Sequence, residues 1–272
     1  MEIIRNIIYD SEAGGAGVGD MFLPEGFQPG QGRPVVLAIH GGGWSSMTKE
    51  SFEGVAAFLA ENGFAVFNLN YRLAPENRYP ACVEDCLKAA RYLLNSSFAQ
   101  APISLVGGSA GGHLALMAGL SLPSESVAAI VSLSGIDDVF SDFALFPERY
   151  RQLYGHVPTK EELRRMNPAD SWHIGAPPIL CTHFRGDPVV PVESCRDFER
   201  KIANKGGDVS VYIYDLEREN QGHGTWLPDS SPHRLYPDIE CMMLAFLKNT
   251  NGKPLKNGME AISGGAEKPS SY

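Results

Sequence analysis

The sequence predicts an α/β protein with a mainly parallel sheet and helices on both of its faces, and three observations carry that prediction. From about residue 34 onward, short β-branched or apolar runs alternate with longer amphipathic ones, the rhythm of successive βαβ units. The short runs are apolar almost throughout, best seen in Val35-Val36-Leu37-Ala38-Ile39, which suits strands covered on both sides. Glycine clusters stand at the ends of several of these runs, where a strand must turn sharply into the next element.

The expected parallel strands are Val35–Ile39, Ala65–Leu69, Ile103–Val106, Ala129–Leu133, Ile179–Thr182 and Val209–Tyr214. Between and after them, Phe52–Glu61, Ala81–Leu94, Gly112–Leu120, Val192–Lys205 and Tyr236–Leu247 carry apolar residues at helical spacing. In the second of these, Val83, Leu87, Ala90 and Leu94 fall on one stripe. Ahead of the first parallel strand, Ile3–Tyr9 and Gly19–Leu23 read as an antiparallel pair on the sheet edge, with a glycine-rich turn at 14–17. The rhythm breaks once, from Ile136 to Ala176, where Phe140, Phe143, Phe146, Tyr150, Tyr154 and Trp172 are set among charged residues. An insertion of that length, with a helical piece at Glu161–Met166, reads as a lid or binding element whose aromatic residues line an acyl or leaving-group pocket. The domain is expected to span 1–248, with 249–272 as a polar, glycine-containing tail.

At 272 residues the chain fits one large α/β domain. With 23 basic against 32 acidic residues it carries −9, the wrong sign for neutralising phosphates, so nucleic acid is not the expected partner. No apolar run approaches the ~18 residues of a membrane span, and the first residues lack the pattern of a secretory leader. The reading is cytoplasmic, with a mature secreted form left open, no membrane partner, and a homodimer left open as the assembly. The cysteines, Cys82, Cys86, Cys181, Cys195 and Cys241, show no paired spacing and read as reduced, small buried hydrophobes rather than disulfides or a zinc site.

The chemistry centres on Gly107-Gly108-Ser109-Ala110-Gly111, a G-x-S-x-G pattern lying directly between an expected strand and an expected helix. That context is what the motif needs, because the serine must sit on a strained turn that tolerates only small neighbours and lifts the hydroxyl above the sheet. A serine hydroxyl is a poor nucleophile at neutral pH, so it needs a base, and the base needs an acid to fix its tautomer. On a parallel sheet both must come from loops at the carboxyl ends of later strands. Asp187, in Arg185-Gly186-Asp187-Pro188, follows one such strand, and His223, in Gly222-His223-Gly224, follows the next. Rivals exist for each: His113, which lies inside the helix leaving the turn and reads as a packing residue, His183 for the base, and Asp215 and Glu217 for the acid. Acyl transfer also needs donors for the developing oxyanion. His40-Gly41-Gly42-Gly43-Trp44 offers backbone N–H groups there, without the lysine and hydroxyl residue of a phosphate loop.

These motifs, together with Asn70-Tyr71-Arg72-Leu73-Ala74-Pro75-Glu76 and Tyr79-Pro80-Ala81, resemble the α/β-hydrolase superfamily over about residues 20–248. The nearest branch looks like the hormone-sensitive-lipase-type esterases and related bacterial carboxylesterases, some of them feruloyl or acetyl-xylan esterases. The resemblance implies an α/β-hydrolase fold with a cap insertion, Ser109 as nucleophile, His223 as base, Asp187 as its orienting acid, and Gly42, Gly43 and Ala110 as oxyanion donors. Two departures from the lipase-like members, a short strand-like lead-in before His40 and Gly108 where they carry an aspartate, point to smaller esters. Trp44 is expected either to meet a substrate ring or to close the base of its loop, Arg72 to pair with Glu84 or Asp85, and Arg185 has no account.

The implied activity is hydrolysis of short-chain or aromatic carboxylic esters, including carbohydrate-linked acetyl or feruloyl groups, with a small-molecule ester as the partner and no cofactor or metal. An arylformamidase-like amide hydrolase fits the same motifs, and preference for N-formylkynurenine over aryl esters would identify it. A non-catalytic binding protein on the same scaffold would be expected to have lost the serine, acid or histidine. Since the base must be neutral, and an unperturbed imidazole titrates near ~6.5, activity is expected to fall below roughly pH 6.

Overall fold

The structure, a computed structural model, describes residues 1–99, 102–214, 223, 226 and 234–250. Eight strands form one sheet: β1 (Glu2–Ile8), β2 (Val18–Leu23), β3 (Val35–Ile39), β4 (Ala65–Leu69), β5 (Ile103–Gly108), β6 (Val127–Leu133), β7 (Ile179–Phe184) and β8 (Ser210–Tyr214). Their order across the sheet is β1-β2-β4-β3-β5-β6-β7-β8. The β1–β2 and β2–β4 pairs are antiparallel and every later pair is parallel. The carboxyl ends of β3, β5, β7 and β8 therefore lie on one edge, which is where the candidate residues sit.

Nine α-helices are described: α1 (Glu53–Glu61), α2 (Ala81–Leu94), α3 (Ala110–Ser121), α4 (Val139–Leu145), α5 (Pro147–Tyr154), α6 (Lys160–Arg165), α7 (Pro168–Ser171), α8 (Val192–Asn204) and α9 (Pro237–Asn249). Alternation within the strands splits the core into two layers. Val35, Leu37 and Ile39 of β3 pack with residues of α2, α3 and α8, while Val36 and Ala38 pack with residues of α1 and α9. Helix α3 is buried from Ala110 through Leu120, with no polar face, because it lies between the sheet and the helices of the insertion. In such a place a Leu114→Ala cavity would cost about 2–5 kcal/mol.

The differences from the expected elements have local causes. Helix α3 begins at Ala110 rather than Gly112, because Ser109 itself is the turn residue. The stripe of α2 rotates by about one residue, so that Cys82, Cys86, Ala89 and Leu93 are its buried centre and Leu87 and Leu94 are only half-buried. The insertion folds as α4 to α7; the capping box between Thr159 and Glu162 starts α6, and Gly155, in the left-handed region at φ 75°, ends α5. Helix α9 runs to Asn249 with Thr250 as its cap, and the expected tail from residue 251 on lies outside the described residues, as do Asp215 and Glu217. Cys82, Cys86, Cys181 and Cys195 are buried, and Cys241 is exposed, contrary to the expectation for it.

Candidate active site

Ser109 caps the start of α3 with φ 56° and ψ −125°, a conformation costly for any residue with a Cβ. The surrounding glycines make it affordable. A Cβ at Gly107 would stand 2.0 Å from the Gly111 carbonyl oxygen, and one at Gly111 would stand 2.2 Å from the Ile39 oxygen. The Ser109 N–H donates to the Leu133 carbonyl at 2.9 Å, tying the turn to β6.

The loop after β3 runs directly against this turn: a Cβ at Gly41 would lie 2.9 Å from the Gly108 carbonyl oxygen and 3.1 Å from Ser109 Cβ. Gly42 and Gly43 hold φ of 103° and 58°, and a Cβ at Gly42 would collide with the Ser46 carbonyl at 2.1 Å. The Gly42 carbonyl is taken by the Ser45 and Ser46 N–H groups at 3.1 and 3.0 Å. Among the described residues, the N–H groups of Gly42, Gly43 and Ala110 donate to no carbonyl or side chain, which leaves them free to receive an anion. Tyr71 fixes the loop from below, its hydroxyl donating to the His40 and Gly41 carbonyls at 3.0 Å each while its ring stacks on His40 at 4.2 Å. Sequence reasoning quoted Tyr71 only as part of a motif; this role needs the β3–β4 neighbour relation to be seen.

Trp44 does not meet a substrate in this arrangement. It is fully buried, donates its indole N–H to His113 Nδ1 at 3.3 Å, and packs edge-on against His113 and Tyr150. His113 in turn donates from Nε2 to the Met166 carbonyl at 2.7 Å. Burial lowers this imidazole to about 4, so it is neutral, with both nitrogens engaged. One histidine thus joins the loop after β3, helix α3 and the insertion.

On the other side, Asp187 is buried in the loop after β7. Its Oδ1 accepts the Val189 and Val190 N–H groups at 2.9 and 3.0 Å, and its Oδ2 lies 2.7 Å from His223 Nδ1. Burial by itself would raise this carboxyl, but the His223 hydrogen bond and the Val190 N–H hold it below its ordinary value. An ionised Asp187 makes Nδ1 the protonated nitrogen of His223 and leaves the Nε2 lone pair to act as a base. Among the described residues Nε2 has no hydrogen-bond partner, so a bond to Ser109 is not closed in this conformation. Trp226, three residues further on, packs on Phe52, and its ring would be 3.0 Å from a Cβ at Gly108, which places this indole against the serine turn. Trp226 was also missed in sequence, since nothing in its spacing tells that it folds back over β5.

His183, the rival base, is fully buried and donates Nε2 to the Val190 carbonyl at 2.9 Å, supporting the acid loop from behind. The insertion closes the ring of supports: Arg149 donates to the Val189 carbonyl at 2.9 Å, and Tyr150 donates to Asp142 at 2.9 Å. Most of the aromatic residues expected to line a pocket are spent on packing. Tyr150 is buried against Trp44 and Phe143, Tyr154 stacks on Tyr79, and Trp172 lies against Gly207. Arg72 pairs with Asp85 at 2.7 Å and more loosely with Glu84 at 3.4 Å, as expected. Arg185 extends the β7–β8 pairing through its N–H to the Tyr214 carbonyl.

The sheet order and the strained serine turn between β5 and α3 define the α/β-hydrolase fold. Solved structures share it at TM-scores of 0.79, for a truncated carbohydrate esterase from gut microbiota covering 93% of this chain and 97% of that one, and 0.73, for a Thermogutta terrifontis esterase covering 90% and 94%, at 21% and 20% identity. Within that fold the chain belongs to the BD-FAE family, whose model matches residues 20–202. Among curated proteins it is 29% identical over 237 residues to Esterase LipC of Mycobacterium tuberculosis, covering 75% of this chain and 56% of that protein. It is 36% identical over 95 residues to the versiconal hemiacetal acetate esterase stcI of Emericella nidulans, covering 35% of this chain and 33% of that protein. The chain therefore spans from a third to a little over half of the length of these curated relatives. Among the described residues no helix is long and apolar enough to cross a membrane.

Proposed function

We propose that the protein is a serine carboxylesterase that hydrolyses short-chain or aromatic acyl esters through an acyl-enzyme on Ser109. The observation that carries this reading is the buried Asp187 carboxylate bound to His223 Nδ1, on loops that converge with a strained Ser109 and a row of free backbone N–H groups. In this scheme His223 Nε2 takes the Ser109 proton as Oγ bonds to the ester carbonyl carbon. The carbonyl oxygen becomes an oxyanion held by Gly42, Gly43 and Ala110 N–H. The imidazolium then returns its proton to the departing alcohol as the C–O bond breaks. Water, deprotonated by the same nitrogen, attacks the acyl carbon, and the acid leaves with Ser109 restored.

A groove of about 460 Å³ opens between the β1–β2 turn and the segments that follow β3 and β4, lined by Glu12, Ala16, Met47, Thr48, Asn70 and Glu76. Ser109, His223 and the oxyanion glycines do not line it, and carbohydrate as the alcohol side is supported by the likeness to a carbohydrate esterase. Similarity to a carbohydrate esterase and to acetate esterases agrees with a small acyl group.

The test is p-nitrophenyl acetate and butyrate hydrolysis by wild type and Ser109→Ala. Loss of kcat on the order of 10⁶ is expected for removal of a nucleophile in a triad, and an unaffected variant or an inactive wild type would refute the proposal. A series from acetate to palmitate, run beside methyl ferulate and acetylated xylan, tests the substrate: best turnover of palmitate would refute the short-acyl claim.

A further inference from the structure

We propose that Asp137, His183 and Cys195 form a zinc site buried behind the acid loop. The residues come from three places that the fold brings together: the turn after β6, strand β7 and helix α8. One donor atom each from Asp137, His183 and Cys195 lies within 4.8 Å of the others, and all three residues have no exposed surface. The Cys181 thiol lies beside Asp137 and Cys195 but does not share the 4.8 Å spacing of the three donors, so it is a neighbour of the site and not a ligand.

Two unsatisfied atoms point into this cluster. His183 Nδ1 and Asp137 Oδ2 are both buried without a hydrogen-bond partner among the described residues. Buried polar atoms left without a partner are costly unless something occupies the space between them. The opposite ends of the same two side chains are already held as those of metal ligands usually are. His183 donates Nε2–H to the Val190 carbonyl at 2.9 Å, which leaves Nδ1 as the lone-pair nitrogen. Asp137 Oδ1 accepts from Ser132 Oγ at 2.5 Å.

Donor type and charge agree on the metal. One carboxylate, one imidazole and thiol sulfur suit zinc, a borderline cation that takes nitrogen, oxygen and sulfur in a tetrahedron. The Asp137 carboxylate and a Cys195 thiolate balance its two charges, so the occupied site is neutral in a place where a net charge would be costly. Around zinc, neighbouring donors stand about 3.3–3.8 Å apart, so the present cluster needs to close by at most about 1.5 Å. Spacing along the chain gives no hint of the site, since no two of its donors form a C-x-x-C or H-x-x-x-H pair.

A site this deep is loaded during folding, so the full chain would be produced in zinc-supplemented medium, without a histidine tag, and its metal content measured after gel filtration. About one zinc per chain is expected. Refolding with Co²⁺ in place of zinc should give the visible bands of tetrahedral cobalt together with a thiolate charge-transfer band. Cys195→Ser and Asp137→Asn should each lower metal retention by about tenfold or more, while Cys241→Ser, at an exposed position elsewhere, should retain it. If neither ligand variant folds, the wild-type content and the cobalt spectrum still decide. Wild type carrying less than a tenth of an equivalent of zinc (~0.1 per chain), a cobalt spectrum without the thiolate band, or a Cys181–Cys195 disulfide found by mass spectrometry would each overturn the proposal.

Discussion

The nucleophile side of the site and its acid side are held in different ways. Around Ser109, backbone presses on backbone: Gly107, Gly111 and Gly41 are spaced so that any Cβ would meet a main-chain atom at 2.0–2.9 Å. Around Asp187, side chains and N–H groups from separated parts of the chain converge, with Val189, Val190 and His223 on the carboxylate and Arg149 and His183 on the loop behind it. A backbone-packed turn can be right or broken, whereas a hydrogen-bonded loop can lose one support and keep the rest. The two sides should therefore fail differently under substitution.

The sharpest break on the acid side is Asp187→Asn. An amide cannot hold Nδ1–H of His223 in the same way and favours the wrong tautomer, so kcat should fall about 10⁴-fold while the fold survives. Ester hydrolysis with a thermal melt of the same sample checks both parts. A loss of less than tenfold (~1.4 kcal/mol) would mean that another group orients the base.

On the nucleophile side the counterpart is Gly111→Ala, where the added methyl faces the Ile39 and His40 carbonyls at 2.2 and 2.5 Å. Neither is a flexible side-chain end, so α3 must shift away from β3. The expected result is a destabilisation of about 1–3 kcal/mol or more, read by urea unfolding, with activity lost in parallel. Full stability would show that the turn is looser than its glycines indicate.

These two sides also differ in how far they could be read from the chain. G-x-S-x-G between a strand and a helix, and His40–Trp44 after a strand, are local patterns whose meaning rests on backbone conformation, and glycine reports backbone conformation directly. Asp187 and His223 could be placed only by their order along a parallel sheet. Their supports were not legible at all, because Arg149 is 40 residues from Val189 and nothing in an amphipathic helix says which loop its arginine reaches. The aromatic run of 136–176 misled in a related way. Tyr150, Tyr154 and Trp172 look like pocket residues by type, yet the insertion needs them to bury its own short helices. Trp44 was undecided for the same reason, since an indole beside a site serves equally as a wall or as a wedge.

Removing one outer support should sharpen the contrast further. Arg149→Met keeps the aliphatic stem but drops the hydrogen bond to the Val189 carbonyl, the ion pair with Asp142 and the guanidinium packed over Phe146. The Asp142 carboxyl, already raised to about 6 by burial, then simply retains a proton. A roughly tenfold fall in kcat/KM is expected, about 1.4 kcal/mol, with Asp187 still bound to His223. Steady-state kinetics of the variant measure it, and a 10⁴-fold loss would show the acid loop to be as intolerant as the serine turn.

The smallest effect belongs to His113, which links the oxyanion loop to the insertion through Trp44 and Met166. Its ring is neutral in the folded state, lowered by burial to about 4, whereas in the unfolded chain it titrates near ~6.5. Between those values the unfolded state binds the extra proton, so this histidine's contribution to stability is complete above about pH 6.5 and is lost as pH falls toward 4, by up to about 1.4 kcal/mol per unit. His113→Asn lacks that titration. The stability gap between wild type and His113→Asn should therefore be widest at pH 7–8 (~0.5–1.5 units above the unfolded value) and narrow steadily below about 6.5. Urea unfolding of both proteins across that range measures the gap directly, and the comparison cancels the opposing titrations of other buried groups such as Asp142. A gap that stays constant with pH would mean that the ring is not held neutral between Trp44 and Met166, and that the link between the oxyanion loop and the insertion is made by packing alone.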